Sequence, residues 1–151
     1  MQIRNFREED APGVKTLIKT ILNEEFASRA SAYPETDLAD ISKTYGGQRE
    51  TFYVIDDKDK IIGTAGIKED SKTIALLRRL FVHRDYRNRR LGSNLVDKAV
   101  LFCKEKGYKH VVFRSTDVMD KANSLLLKKG FKEEEKLDFG QIQILKFVKN
   151  I

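Results

Sequence analysis

Apolar residues in this chain recur at two spacings, and the switches between them divide it into elements. Val14, Leu17, Ile18, Ile21 and Leu22 follow the i, i+3, i+4, i+7, i+8 pattern of an amphipathic helix. Asp10 offers its N-cap, Pro12 is tolerated in its first turn, and it reaches about Phe26. Leu95, Val96, Ala99, Val100 and Cys103 repeat the pattern and predict a helix over residues 93–106, stopped by Gly107. Asp37 is expected to cap a shorter helix that turns Leu38 and Ile41 inward and ends before Gly46. A further helix is predicted from Asp117 or Asp120 to Lys129, with Gly130 as its terminator.

Alternating or continuous apolar runs predict strands at residues 3–6, 51–56, 61–68, 73–82, 110–115, 131–137 and 141–148. Residues 57–60 and 138–140 carry turn chemistry, and residues 27–35, with Tyr33 and Pro34, have no period and read as a loop. Gly63 and Gly66 weaken their strand and mark bulges or a close backbone approach. The resulting order is β-α-α-β-β-β-α-β-α-β-β. No repeat, linker or low-complexity stretch interrupts it, so one domain over residues 1–151 of the α/β (α+β) class is expected.

At 151 residues the chain is long enough to bury about two-thirds of its unfolded surface. Charged residues begin at once, and no apolar run approaches the roughly 20 residues of a membrane span, so neither a signal peptide nor a membrane segment is expected. The single Cys103 forms no intramolecular disulfide, which fits a reducing cytoplasm. No metal-ligand spacing appears. The net charge of +6 raises nucleic acid as a partner. A nucleic-acid surface needs a basic stripe with aromatic or groove-reading neighbours, and the lysines here are scattered. Only the arginines between positions 78 and 90 cluster, which a small anionic ligand explains with fewer assumptions.

That cluster surrounds the most informative stretch of the chain. An apolar strand ends at Val82, a loop with Arg84, Arg87, Arg89 and Arg90 follows, and then Gly92 precedes a helix. Backbone N–H groups at a helix start, aided by the positive end of the dipole, hold phosphate oxygens. Strand, arginine-lined turn and helix start together read as a diphosphate cradle.

The stretch Leu80-Phe81-Val82, Tyr86-Arg87 and Gly92 resembles motif A of the GNAT N-acetyltransferase superfamily, Arg/Gln-x-x-Gly-x-Gly/Ala. Ala122, Leu125, Lys128, Gly130 and Phe131 match a second family segment, Asn-x-x-Ala-x-x-Leu-Tyr-x-Lys-x-Gly-Phe. The resemblance covers nearly the whole chain. It implies a mixed, mostly antiparallel sheet of about seven strands flanked by about four helices, and an acetyl-CoA-dependent transfer to an amine. Acetyl-CoA would lie between the fourth and fifth strands. The main chain of Leu80, Phe81 and Val82 would meet its pantetheine arm. Arg87, Asn88, Arg89, Arg90, Leu91, Gly92 and Ser93 would hold its diphosphate, with Asn123 as a further contact.

Four departures stand out. Arg90 takes a glycine position, where a helical φ would permit it. Met119 replaces an asparagine, and Leu126 replaces the tyrosine that often protonates the departing thiolate. The strand glutamate that often serves as base is also missing from residues 74–79. Only a neutral amine attacks a thioester, so a base is sought elsewhere: Glu25, Asp40 and His83, with Asp37 behind them. Tyr33 and Tyr53 are candidate proton donors through water. A small-molecule or peptide amine would dock against the acidic stretch between residues 24 and 47. A CoA-binding module without catalysis and, less favoured, a nucleic-acid binder remain as alternatives, and pairing of two chains into a homodimer stays open.

Overall fold

The computed structural model describes residues 1–27 and 35–151. β1 (Gln2–Asn5) leads through a 3-10 turn (Glu8–Asp10) into α1 (Ala11–Glu25). A second 3-10 turn (Thr36–Asp40) precedes the short α2 (Ile41–Thr44). Then come β2 (Thr51–Asp57), β3 (Lys60–Glu69), β4 (Ile74–Val82), α3 (Leu91–Glu105), β5 (His110–Thr116), α4 (Asp120–Lys128), β6 (Lys132–Phe139) and β7 (Ile142–Asn150). The seven strands form one sheet in the order β1-β2-β3-β4-β5-β7-β6. Every neighbouring pair is antiparallel except β4 and β5, which run parallel across the α3 crossover. The predicted element order is recovered, and most boundaries move by one or two residues; the second helix starts at Ile41, three residues later than a cap at Asp37 implies, because residues 36–40 form a 3-10 turn.

Alternation along β2 shows how the sheet feeds two cores. Phe52 and Val54 face α1 and α2, where they meet Val14, Ile18, Leu38 and Ile41. Tyr53 and Ile55 face α3 and α4, together with Leu95, Val96, Ala99 and Leu126. Each enclosed Leu, Ile or Val contributes about 1.5–3 kcal/mol relative to exposure. One glycine matters for this layering: a Cβ on Gly66 would sit 2.8 Å from the Tyr45 ring, so its absence lets Tyr45 pack close against the sheet.

Two of the expected caps act differently. Asp10 is the N-cap of α1 without capping it; its carboxylate accepts instead from Arg4 at 2.7 and 2.9 Å and from the Arg7 amide. Asp37 does not cap α2. That role falls to Asp40, which accepts from the Lys43 amide at 3.1 Å, while Asp37 is buried.

The position of Asp37 matters because of an irregularity in β4. Gly66 pairs with Arg78 and Thr64 with Phe81, so β4 carries one residue more than β3 across this span. This bulge centres on Arg79, whose φ is +54°. Left-handed backbone costs an ordinary residue about 1–2 kcal/mol. Several bonds hold it there. Arg79 donates from Nε to Asp37 Oδ2 at 3.0 Å and from Nη2 to Oδ1, Tyr45 donates to Asp37 Oδ2 at 2.7 Å, and Thr64 donates to the Arg79 carbonyl at 2.7 Å. Both charged side chains are almost fully enclosed, at 6% and 4% exposure.

Burial alone would raise the Asp37 carboxyl, but the hydrogen bonds from Arg79 and Tyr45 and the Arg79 charge outweigh it and leave it below its ordinary value. A carboxyl lowered on folding stabilises the fold above its unfolded pKa, and that contribution disappears as pH falls through the folded pKa. Asp37→Ala is therefore expected to cost about 3–5 kcal/mol at pH 7, the scale for stranding a buried partner charge. Denaturant melts at pH 7 and pH 3 check this, and the variant should lose less stability over that interval than the parent.

Candidate cofactor and acceptor site

The bulge ends the β4–β5 ladder. Pairing runs from Ile74 with His110 to Leu77 with Phe113 and stops one residue before Arg78. Beyond that point the strands part around a cleft of about 270 Å³, lined by Leu76, Leu80, Phe81, Val112 and Met119 with Arg78 and Arg114. The His83 amide donates to the Ile62 carbonyl at 2.7 Å, which fixes the phase of the β3–β4 ladder. Alternation then turns the main-chain groups of Phe81 toward β3 and those of Leu80 and Val82 toward the cleft. The expectation that all three main chains face a ligand is corrected in this respect: Phe81 contributes to the cleft through its ring.

At the far end of β4 the chain forms the cradle. A 3-10 turn (Arg84–Tyr86) opens with the Asp85 amide donating to His83 Nδ1 at 3.1 Å. Asn88 and Arg90 both have positive φ, 64° and 61°, on either side of Arg89. Arg90 is the residue before α3 and supplies no side-chain cap. Its backbone is left-handed, not helical as the sequence reading allowed, so the position has the conformation a glycine would take without strain. A left-handed residue followed by a helical one turns successive amides inward as an anion nest. The first helical bond runs from the Asn94 amide to the Arg90 carbonyl, which leaves the amides of Leu91, Gly92 and Ser93 ahead of the helical ladder. A Cβ on Gly92 would meet Leu125 Cδ2 at 3.2 Å, so this glycine also lets α4 pack close to the cradle.

The match of known proteins to this arrangement is direct. Residues 16–131 match the model of the acetyltransferase (GNAT) family, which spans both cleft strands and the cradle. The chain belongs to the GNAT acetyltransferase family. It is 31% identical over 115 residues to a probable N-acetyltransferase camello of Xenopus tropicalis, covering 74% of this chain and 52% of that one. The chain spans about half the length of the curated relatives it matches. Its fold is shared with an acetyltransferase from Streptococcus agalactiae, at TM-score 0.88 and 19% identity over 99% of this chain and 98% of that one. A GNAT family acetyltransferase from Elizabethkingia anophelis, solved with acetyl-CoA bound, aligns at TM-score 0.63 and 17% identity over 79% and 85% of the two chains.

The residues of this GNAT chain suit an acyl-CoA ligand in three respects. Uncapped amides face a basic loop, strand backbone faces a cleft, and Asn123 has a buried Oδ1 without a hydrogen-bond partner while its Nδ2 donates to the Thr116 carbonyl at 3.1 Å. Arg89 and Arg90 are exposed at the cradle, with Arg89 5.3 Å above the Tyr86 ring. Arg87 is used structurally. It donates to both oxygens of Glu25 at 2.6 and 2.9 Å and to the Val82 carbonyl at 3.1 Å, which ties the end of α1 to the cradle.

The candidate catalytic groups are not brought together. Both oxygens of Glu25 are taken by Arg87, Asp40 is exposed and caps α2, and Asp37 is taken by Arg79 and Tyr45. His83 sits in the turn with its Nδ1 accepting a backbone bond and its ring edge-on to Tyr86 at 5.5 Å. Tyr33 lies outside the described residues. Tyr53 packs in the α3 core and burial raises its hydroxyl. Leu126 is wholly enclosed, and Cys103 is a core thiol pushed up to about 12 by burial. Sequence reading missed that Arg78 and Arg114 line the cleft and that β4 bulges at Arg79. The available signal was an arginine pair inside an otherwise apolar strand, where a plain alternation admits only one buried cation-free face.

Two substitutions at the cradle should move stability in opposite directions. Arg90→Gly is expected to be at least as stable as the parent, with a gain of up to about 1 kcal/mol from released left-handed strain. Gly92→Val should cost about 1–3 kcal/mol through crowding of Leu125. Paired denaturant melts of the two variants provide the check.

Proposed function

We propose that this chain is an acetyl-CoA-dependent N-acetyltransferase that passes the acyl group directly to an amine. The observation that carries the reading is the parting of β4 from β5 with an uncapped, arginine-lined helix start at its end. When bound, acetyl-CoA supplies an activated acyl carbon as a thioester. The main-chain groups of Leu80 and Val82 would orient the pantetheine, the amides of Leu91, Gly92 and Ser93 with Arg89 and Arg90 would hold the diphosphate, and Asn123 Oδ1 would accept a hydrogen bond. A single cytoplasmic domain is part of the same reading.

Among the described residues no carboxylate or imidazole lines the cleft, whose polar liners are Arg78, Arg79 and Arg114. The chain's contribution to rate is then binding and orientation, worth several kcal/mol when geometry is held. The amine loses its proton to water, and the sulfur gains one from water. This bare cleft also favours the second reading, a CoA-binding module without turnover.

Calorimetry with acetyl-CoA tests the first step. Micromolar binding is expected, and no binding at high micromolar ligand by folded protein overturns the proposal. Gly92→Val should weaken that binding more than Lys72→Ala, by at least tenfold. Thiol release across an amine panel separates an enzyme from a binding module. With any amine that turns over, kcat/KM should rise about tenfold per pH unit up to the pKa of the amine itself, with no plateau from an enzyme base. His83→Gln should leave that profile within threefold; an inflection removed by this substitution would make His83 the base.

A further inference from the structure

The acidic docking surface expected for the acceptor is not what the cleft presents. Glu25, Asp37 and Asp40 are each engaged elsewhere, and Glu24 lies 3.9 Å from Arg84 on the outer surface. The open face of the sheet carries cations instead. Leu76 and Arg78 share one face of β4, and Val112 and Arg114 share the same face of β5; all four line the cleft. Continued by one residue, the parallel register that ends with Leu77 beside Phe113 sets Arg78 level with Arg114 where the strands begin to part. On the other side Arg114 stands directly opposite Lys146 of β7. Three cations therefore form a row across three neighbouring strands.

Like charges in facing positions disfavour a sheet. Among the described residues neither Arg78 nor Arg114 has an ion-pair or hydrogen-bond partner, and Lys146 reaches Glu135 only at 3.8 Å. Asp37 lies within the field of Arg78, yet its oxygens are taken by Arg79 and Tyr45.

We infer that Arg78 and Arg114 anchor the acceptor, and that the acceptor is a primary amine bearing a carboxylate within a few bonds of its nitrogen. This deepens the acyltransferase reading above and rests on it. Position separates the row from the phosphate cradle. Arg78 precedes Val82 by four residues, at most roughly 13 Å along a strand that bulges at Arg79, and the cradle lies beyond. It precedes Leu80, whose main chain faces the cleft, by two residues, at most roughly 6–7 Å. A carboxylate held by two guanidinium forks would place a nearby nitrogen beside that point. Leu76, Val112 and Met119 offer an apolar floor to the rest of the molecule.

Two measurements test this. The first follows the guanidinium Nε–H resonances of the CoA-saturated protein during titration with sodium propionate, with propionamide as control. Arg78 and Arg114 should shift with propionate alone, while Arg49, remote from the cleft, stays in place. Equal response to both probes, or none, overturns the anion site. The second compares kcat/KM for amines differing only in the acid: free L-amino acids against their amides, and peptides beginning with Asp or Glu against those beginning with Asn or Gln. The acid of a pair should be favoured at least tenfold at 50 mM salt, and the pair that shows it identifies an α-carboxylate or a side-chain carboxylate. Arg78→Gln and Arg114→Gln should each bring that ratio below twofold while calorimetric CoA affinity stays within twofold. Amides that serve equally well, or variants that slow both members alike, overturn the inference. Absence of CoA binding would defeat the acyltransferase reading instead, and propionate titration of the ligand-free protein would still decide the anion site.

Discussion

The buried contact between Arg79 and Asp37 is the constraint on which the rest of the site depends. It secures a left-handed arginine in the middle of β4, and that residue is the bulge. The bulge shifts β4 against β3 and coincides with the end of its pairing to β5. Without it a regular β4 could continue its parallel ladder to Leu80, which that register sets opposite Thr116, the last residue of β5, and the main chain of Leu80 would be consumed by β5. The cleft thus depends on a salt bridge whose acidic member comes from the turn before α2, over forty residues away in sequence. Tyr45 completes the contact from the end of α2, so the α2 segment acts as the clamp of the strand it covers.

What the sequence made legible follows from how local each signal is. Helical period, alternation and turn residues placed all the elements in order, because these are set within a few residues by backbone geometry. The cradle was legible for the same reason, since strand, loop and helix start are contiguous from Leu80 to Ser93. The engagement of Glu25 by Arg87 and of Asp37 by Arg79 was not, because each pair joins elements that meet only through the tertiary fold. A carboxylate read from sequence counts as available chemistry until its partner is known. Arg90 shows the converse: an arginine standing at a family glycine position adopts a left-handed conformation, because the loop and the start of α3 dictate it.

The charges at the cleft divide by element. Cations of the loop after β4 gather at the cradle, whereas Arg78 and Arg114 lie on the strands themselves, at the other end of the opening. Arg79 lies between the two groups and is neutralised by Asp37. The basic residues near the cleft thus fall into two groups set apart along β4 and its loop, a separation that the net charge of +6 does not show.

The order of strands has a mechanical consequence. β1 to β4 form one antiparallel block and β5, β7 and β6 another, and the two are joined edge to edge by four rungs between Leu77 and the start of β4. The cleft is the unzipped remainder of that seam. A ligand laid against the edge at Leu80 and Val82, where Arg87 already engages the Val82 carbonyl, would replace the missing rungs and stitch the blocks together. Its binding energy would then be felt as cohesion between two halves of a sheet, growing as RT ln(1 + [L]/Kd). Breathing of the seam and occupancy of the cleft become two views of one equilibrium.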